Sequence, residues 1–474
     1  MNLIALTFGL ALPAALAWTA MLLIEKDKPV LTPAERVVWA LILGPAFFAF
    51  IAFLTHILGL TKLNLIGFIA PNLMVFFVLA VFAKRKGAFS AYKNRVRPGK
   101  IPGPVLSRPV MVFLGILGIW TAVKIIAGAI DLWSVPTYWD DSFNNWNMRG
   151  KLFYETERLE LKIPNGNGYI QTAEGVSSYP PALPLIKTWL STLRGGWQEP
   201  LVNGVHLVWF IGLIAAFYLY VLRKHSRSFS FLGVYMLVSL PLLLVHGMNP
   251  YAEVFLASHL FLTVISLLNA AEAQSSGESS AWLKLSAFSL GLLLFTKNES
   301  SVIYAPVILL LAAWITREKL KSGQIDRDAL KRFIAIPIAI LAAVGLPWLA
   351  FKWLNGLTFG NAKAVSNMGV GFSFPALKAI WFQLSSEPNW LFLPLLLPVI
   401  LFFTGKNSFK YPQGLLTVFI LICFAVQVSI FIIAIPLARE AVMQTGFNRG
   451  LLHLAPLALL LMILSARRLI WEPD

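Results

Sequence analysis

Charged side chains are sparse in this chain, and several that interrupt its apolar runs are of types able to do chemistry together. Asp140 and Asp141 stand in Trp139-Asp140-Asp141-Ser142, just after one such run. Adjacent carboxylates repel, and a carboxylate beside Trp139 and Phe143 is partly desolvated. Both effects favour taking up a proton, the quality of a general base. The same Asp-Asp-Ser is also an ordinary helix N-cap. Glu253 follows Asn249-Pro250-Tyr251-Ala252, where a first-turn glutamate also gains from the helix dipole. Lys297 and Glu299, in Phe295-Thr296-Lys297-Asn298-Glu299, separate two apolar runs by only a few residues, a pattern shared with snorkelling side chains at a membrane surface. Arg449 and His453 lie one helical turn apart at the start of the last apolar run and face the same way. A lone histidine on an apolar face is commonly a hydrogen-bonded core residue, whereas an arginine there defaults to a functional candidate. Carboxylates that deprotonate a nucleophile, with cations that hold an anionic leaving group, suit group transfer from a phosphate.

The elements that must position these groups are membrane helices. Of the 474 residues 58% are hydrophobic and only 13% charged, which excludes soluble, disordered and collagen-like classes. The 39 Lys and Arg against 22 Asp and Glu give +17. Membrane topology explains that excess better than a nucleic-acid partner, because basic residues gather in cytoplasmic loops. The single cysteine, Cys423, excludes an intrachain disulfide or a cysteine-based zinc site. Apolar runs at 3–24, 36–59, 65–83, 108–131, 201–222, 230–246, 251–271, 281–296, 299–315, 333–354, 390–404, 412–435 and 450–466 predict an all-α polytopic bundle of about thirteen spans. The first run contains an Ala-Leu-Ala, but no Lys or Arg precedes it, so an uncleaved helix is expected. Lys84, Arg85, Lys86, Lys93, Arg95, Arg97, Lys100 and Arg108 mark a cytoplasmic loop. Alternation then places Arg223, Lys224 and the 316–332 linker inside, with the N-terminus outside and the C-terminus inside.

The acidic candidates fall on the outer side by the same count. The 132–200 loop is long, acidic and rich in Gly, Asn and Tyr, and such loops often carry function. Within it Ser142–Glu160 is amphipathic, with Phe143, Trp146, Leu152 and Phe153 opposite Arg149, Lys151, Glu155 and Glu157, as for a helix lying in the interface. Residues 163–178, with Asn165-Gly166-Asn167-Gly168, read as turns. After Tyr179-Pro180-Pro181, a second short interfacial helix is expected at Ala182–Leu193. A smaller outer loop runs from 355 to 389.

From about residue 108 onward, this ordered set resembles the polytopic glycosyltransferases of the GT-C fold, the superfamily of protein O-mannosyltransferases and lipid A aminoarabinose transferase. The resemblance rests on Trp139-Asp140-Asp141-Ser142-Phe143-Asn144-Asn145-Trp146 after a span and on Ser178-Tyr179-Pro180-Pro181-Ala182-Leu183-Pro184-Leu185. It rests further on Pro250-Tyr251-Ala252-Glu253, Thr296-Lys297-Asn298-Glu299 and Phe447-Asn448-Arg449-Gly450-Leu451-Leu452-His453. It implies a catalytic module at 108–474 preceded by an accessory region at 1–107. It implies a polyprenyl-phosphate sugar donor and inversion at the anomeric carbon. Asp141 would be the base, Asp140 and Glu253 its supports, and Lys297, Arg449 and His453 the donor-phosphate ligands. Tyr179, Glu299 and Trp139 would contact substrate. The acceptor is a lipid, glycan or protein on the outer face of the plasma (inner) membrane. No cofactor is certain; a divalent metal on Asp140, Asp141 and Glu253 is an alternative suited to hard oxygen ligands. The chain departs from the family pattern in its three preceding spans and in lacking the soluble domain and sequon-reading motif of oligosaccharyltransferases. An O-antigen polymerase or ligase would rest chiefly on arginines in a late outer loop, and a transporter or flippase would show internal repeats. Here the densest outer loop is early and acidic, and no repeat is evident.

Overall fold

The structure, a computed structural model, describes residues 2–93, 107–138, 141–161, 178–359 and 369–471, with side chains as far as 466. Trp139, Asp140, the Asn165–Gly168 turn and the stretch 94–106 of the basic connection lie outside the described residues. The helices are α1 (Asn2–Ile24), α2 (Pro33–Ile57), α3 (Leu65–Arg85), α4 (Ala88–Lys93), α5 (Arg108–Ser134), α6 (Met148–Thr156), α7 (Ala182–Arg194), α8 (Glu199–Lys224), α9 (Arg227–Ser239) and α10 (Pro241–Gly247). They continue with α11 (Glu253–Glu272), α12 (Ser276–Leu294), α13 (Ala305–Lys321), α14 (Arg327–Leu354), α15 (Phe374–Ser385), α16 (Leu393–Thr404), α17 (Gly414–Ile433), α18 (Ile435–Val442) and α19 (Gly446–Trp471). Short π-helical segments, Ser142–Asn147 and Ser300–Tyr304, lead into α6 and α13. Among the described residues the sole β feature is an isolated bridge between Val370 and Ala434.

The molecule is an all-helical multi-pass membrane protein. Among the described residues ten helices are long and apolar enough to cross a bilayer, or eleven if the bent pair α9–α10 counts as one span. The expected thirteen is therefore an overcount. The run at 230–246 is broken at Leu240-Pro241, where the chain bends by 80°. Proline has no N–H to give and disfavours helical geometry in the residue before it, and Leu240 is extended. The run at 281–296 belongs to α12, whose Ser279, Ser286, Ser289 and Lys284 dilute its apolar character. The run at 390–404 gives only the 12 residues of α16.

The serines of α12 have a packing role. Ser279 donates to the Ala270 carbonyl (2.8 Å), Ser286 to that of Thr263 (3.1 Å), and Thr263 to Ser289 Oγ (2.8 Å), which sets α12 antiparallel along α11. In a span, where backbone groups are satisfied internally, small hydroxylic residues let helices approach and join them. Proline-directed capping fixes α2, where Thr32 accepts from Glu35 N (3.2 Å), Glu35 accepts from Thr32 N (2.7 Å) and Pro33 opens the helix. The N-terminal helices share one apolar core with the rest, through Phe47 on Phe288 (5.1 Å) and Phe53 on Phe295 (5.2 Å).

The two ends of the bundle differ in character. One end is tied by Glu25 to Arg36, Arg223 to Glu35 (3.0 Å), Lys224 to Glu272, and Lys319 to the Ala273 carbonyl (2.6 Å). The opposite end carries Asp141, the start of α11 and the start of α19. There Ser142–Thr156 is helical as expected, but Arg149, read as part of the exposed charged face, is buried. Its guanidinium donates to the Tyr179 carbonyl (3.1 Å) and lies 5.7 Å from the Phe153 ring. Likewise α7 is enclosed by protein, every residue from Ala182 to Ser191 being buried. Lys187 holds it in place by donating to Asn147 and Asn203.

Candidate active site

Glu253 opens α11 with no exposed surface, and its Oε1 is the meeting point of the site. It accepts from Arg449 Nε (2.8 Å) and Nη2 (2.6 Å) at the start of α19, and from Lys297 Nζ (3.1 Å) in the turn after α12. Lys297 also pairs with Glu299 (3.0 Å), and Arg449 Nη2 with Asp141, the residue just before the first π-helical segment. Asp141, Arg449, Glu253, Lys297 and Glu299 thus form one continuous ion network drawn from four parts of the chain. A lone charge here would be very costly to bury, and sharing partners is what makes the burial tolerable. His246, carried in by the bend at Pro241, stands 3.7 Å from Glu253 Oε2. Tyr251 lies 5.1 Å from the Arg449 guanidinium and 4.6 Å from the His246 ring.

Access separates these groups. The Asp141 side chain is 38% exposed and that of Arg449 27%, whereas Glu253 is sealed. Asp141 can therefore meet a ligand, and Glu253 holds cations. Arg449 Nη1 has no protein partner among the described residues, so the guanidinium keeps donors to offer. Burial by itself would lower the Lys297 pKa, but Glu253 and Glu299 outweigh it and hold the ammonium above its ordinary value. Burial would raise Glu299, and Lys297 overrides it, keeping that carboxyl below its usual range. Burial pushes Glu440, in α18 nearby, upward, against the pull of Arg449.

Above the network opens a cavity of about 1110 Å³. Its lining includes Asp141, Tyr179, Lys297, Glu299, Glu387, Glu440, Arg449 and His453 together with Val302, Ile303, Phe431, Ile433 and Met443. Tyr179 packs edge-on to Trp146 (5.5 Å). His453 stands one turn along from Arg449, its Nδ1 3.0 Å from the Tyr304 hydroxyl. Asp141 and Glu253 converge on Arg449, and among the described residues no three His, Cys, Asp or Glu side chains stand together as a metal site.

No known family model matches the sequence, and no curated protein matches it. The fold does have a match. The crystal structure of ArnT from Cupriavidus metallidurans, bound to undecaprenyl phosphate, superposes with a TM-score of 0.50 at 12% identity. The alignment covers 75% of this chain and 60% of that one, so this chain accounts for less than two thirds of the transferase's length. The protein has the GT-C fold.

Within this GT-C fold the structure brings together Asp141, Glu253, Lys297, Glu299 and Arg449, with Tyr179 and His453 on the wall of the same cavity. It also adds groups that sequence reasoning passed over. Lys352, near the end of α14, resembles a snorkelling lysine but is buried, donating to the Ser178 carbonyl and Asn298 Oδ1 (2.9 Å). It thereby pins the end of the long loop to the turn carrying Lys297. Gln427 is a single amide inside a 20-residue apolar helix, a signal legible under the rule that intramembrane polar groups are rarely idle. Glu387 and Glu440 sat in segments read only as connections.

Proposed function

We propose that the protein is a membrane glycosyltransferase that moves a sugar from a polyprenyl-phosphate donor to a lipid, glycan or protein acceptor. The single observation that carries this reading is the junction of a solvent-reachable carboxylate, Asp141, with Arg449 and Lys297 in the lining of one large cavity. The GT-C fold, shared with a transferase crystallised on undecaprenyl phosphate, supports it.

In this reading the lipid phosphate docks on Arg449 Nη1 and the remaining donor of Lys297. The acceptor's oxygen or nitrogen attacks the anomeric carbon as Asp141 takes its proton. The bond from that carbon to the phosphate oxygen breaks on the opposite side, with inversion, and the phosphate leaves with the bonding pair. Phosphate is already a competent leaving group, so neutralisation by two cations replaces a general acid. Glu253 keeps both cations in register without touching the substrate. Tyr179 contacts the substrate at the cavity wall, and His453, oriented by its bond with Tyr304, serves the phosphate one helical turn from Arg449.

In this reading the catalytic module runs from 108 to 474, supported by every member of the network following residue 108, with α1–α3 as a buttress. The site faces the periplasmic or extracellular side. The support is the separation of the network from the end carrying Arg223, Lys224 and Lys319, where positive charge marks the cytoplasm.

The test is transfer by purified protein in lipid, read by mass spectrometry of the released undecaprenyl phosphate and of glycosylated product. Asp141→Asn should cost about 10²–10⁴-fold in rate with folding retained. Undiminished transfer in that variant would remove Asp141 from the base role.

A further inference from the structure

Beyond its cations, the cavity holds hydrogen-bond acceptors that are fixed in place yet have nothing to accept. Gln427, 1% exposed, commits its amide nitrogen twice, to Tyr304 Oη (2.8 Å) and the Gly450 carbonyl (3.2 Å). That fixes the amide's orientation and leaves Oε1 without a donor among the described residues. Glu387, just ahead of α16, receives Asn389 Nδ2 (2.7 Å) and Asn448 Nδ2 (2.8 Å) on Oε2, which leaves Oε1 in the same position. Glu299 gives Oε1 to Lys297, and its buried Oε2 likewise has no donor. All three residues line the cavity.

Their placement is not scattered. Asn448 and Gly450, which seat Glu387 and Gln427, are the immediate neighbours of Arg449 on the first turn of α19. Gly450 eases the approach, since a Cβ there would lie 3.3 Å from Gln427 Oε1. Buried acceptors are ordinarily satisfied, and several left open in one cavity await donors from a ligand. A phosphate group is itself an acceptor and is repelled by these oxygens, so it belongs on Lys297 and Arg449. A sugar ring supplies hydroxyl donors, and adjacent hydroxyls match the spaced oxygens of carboxylates and an amide.

We propose that Gln427 and Glu387, with Glu299, form the subsite that recognises the hydroxyl face of the transferred sugar. This rests on the glycosyl-transfer reading above and names the residues that select its substrate.

The experiment measures binding to the full-length protein in lipid nanodiscs. The probes are undecaprenyl phosphate alone and undecaprenyl phosphate linked to glucose, galactose, mannose or arabinose. Wild type should bind one glycosylated carrier more tightly than the bare one. Glu387→Gln and Gln427→Leu should each weaken that carrier by roughly 10- to 100-fold and leave bare undecaprenyl phosphate unchanged, which also shows that the variants fold. A sugar-dependent gain that survives both substitutions overturns the proposal. So does an equal loss for bare and glycosylated carrier, the mark of a structural role. If no sugar improves on the bare carrier, the subsite falls while the phosphate reading stands. If wild type binds neither, the glycosyl-transfer reading fails and this one with it.

Discussion

The sealed carboxylate and the open one should respond differently to losing their charge. Glu253 is fully buried between Arg449 and Lys297, and removing one partner of a buried pair costs about 3–5 kcal/mol. Glu253→Gln should therefore lower thermal stability in detergent markedly, whereas Asp141→Asn, on a partly exposed pair, should change it by less than about 1 kcal/mol. Equal shifts would contradict the division between a holding and a reacting carboxylate. Glu299 supplies a pH signature. Its folded pKa lies below the usual range, so its pairing stabilises fully above an unfolded value of about 4.3 and is lost as pH falls through the lowered folded value. Glu299→Gln should flatten that acid limb in a stability profile. These carboxylates and cations were legible in the sequence because a charge in an apolar stretch is conspicuous. Gln427 offered a signal that was passed over, since one neutral amide hardly alters the hydropathy of an apolar run, and Arg149 was misplaced because an arginine can turn inward when a backbone carbonyl awaits it.

Local elements hold the reactive groups through polar struts that their own sequences do not advertise. The π-helical segment after Asp141 is braced by Lys187 of α7 through Asn147 and Asn203, and both amides also donate to Thr137 Oγ1, at 3.0 Å and 2.9 Å respectively. Lys187→Met would strand two buried amide oxygens at about 1–3 kcal/mol. Hydrogen exchange at Ser142–Asn147 should rise and transfer should fall, whereas unchanged exchange would mean that the segment stands without the strut. At α19, Gly450→Ala should gain up to about 1 kcal/mol of helix propensity while crowding Gln427. Transfer should drop without loss of melting temperature. The amphipathic pattern located both loop helices, because apolar spacing reports that a helix has a buried face. It did not show that α7 is enclosed by protein, because protein and lipid reward the same apolar residues.

For the whole molecule, the span count was the weakest part of the reading. Apolar runs were counted as crossings, while a proline bend, a serine-rich helix and a 12-residue helix fall short of the length or apolar composition of a span. The opposed chemistry of the two ends was readable, because Lys and Arg cluster where Asp141 and Glu253 do not. Since the native Cys423 is buried, single introduced cysteines report sidedness cleanly. With intact cells, an impermeant maleimide should label Met443→Cys at the site end and spare Ser322→Cys at the other, both positions being exposed. The reverse pattern would invert the assigned topology. Finally, if the proposed glycosyl transfer holds, the clasp between Asp141 and Arg449 would make the vacant site safe. Until a lipid-borne anion drew the guanidinium away, the proposed base would be muzzled and could not set water upon a costly glycolipid. Turnover would then follow a compulsory sequence in which donor precedes acceptor, and steady-state inhibition by spent carrier should be competitive toward the former alone.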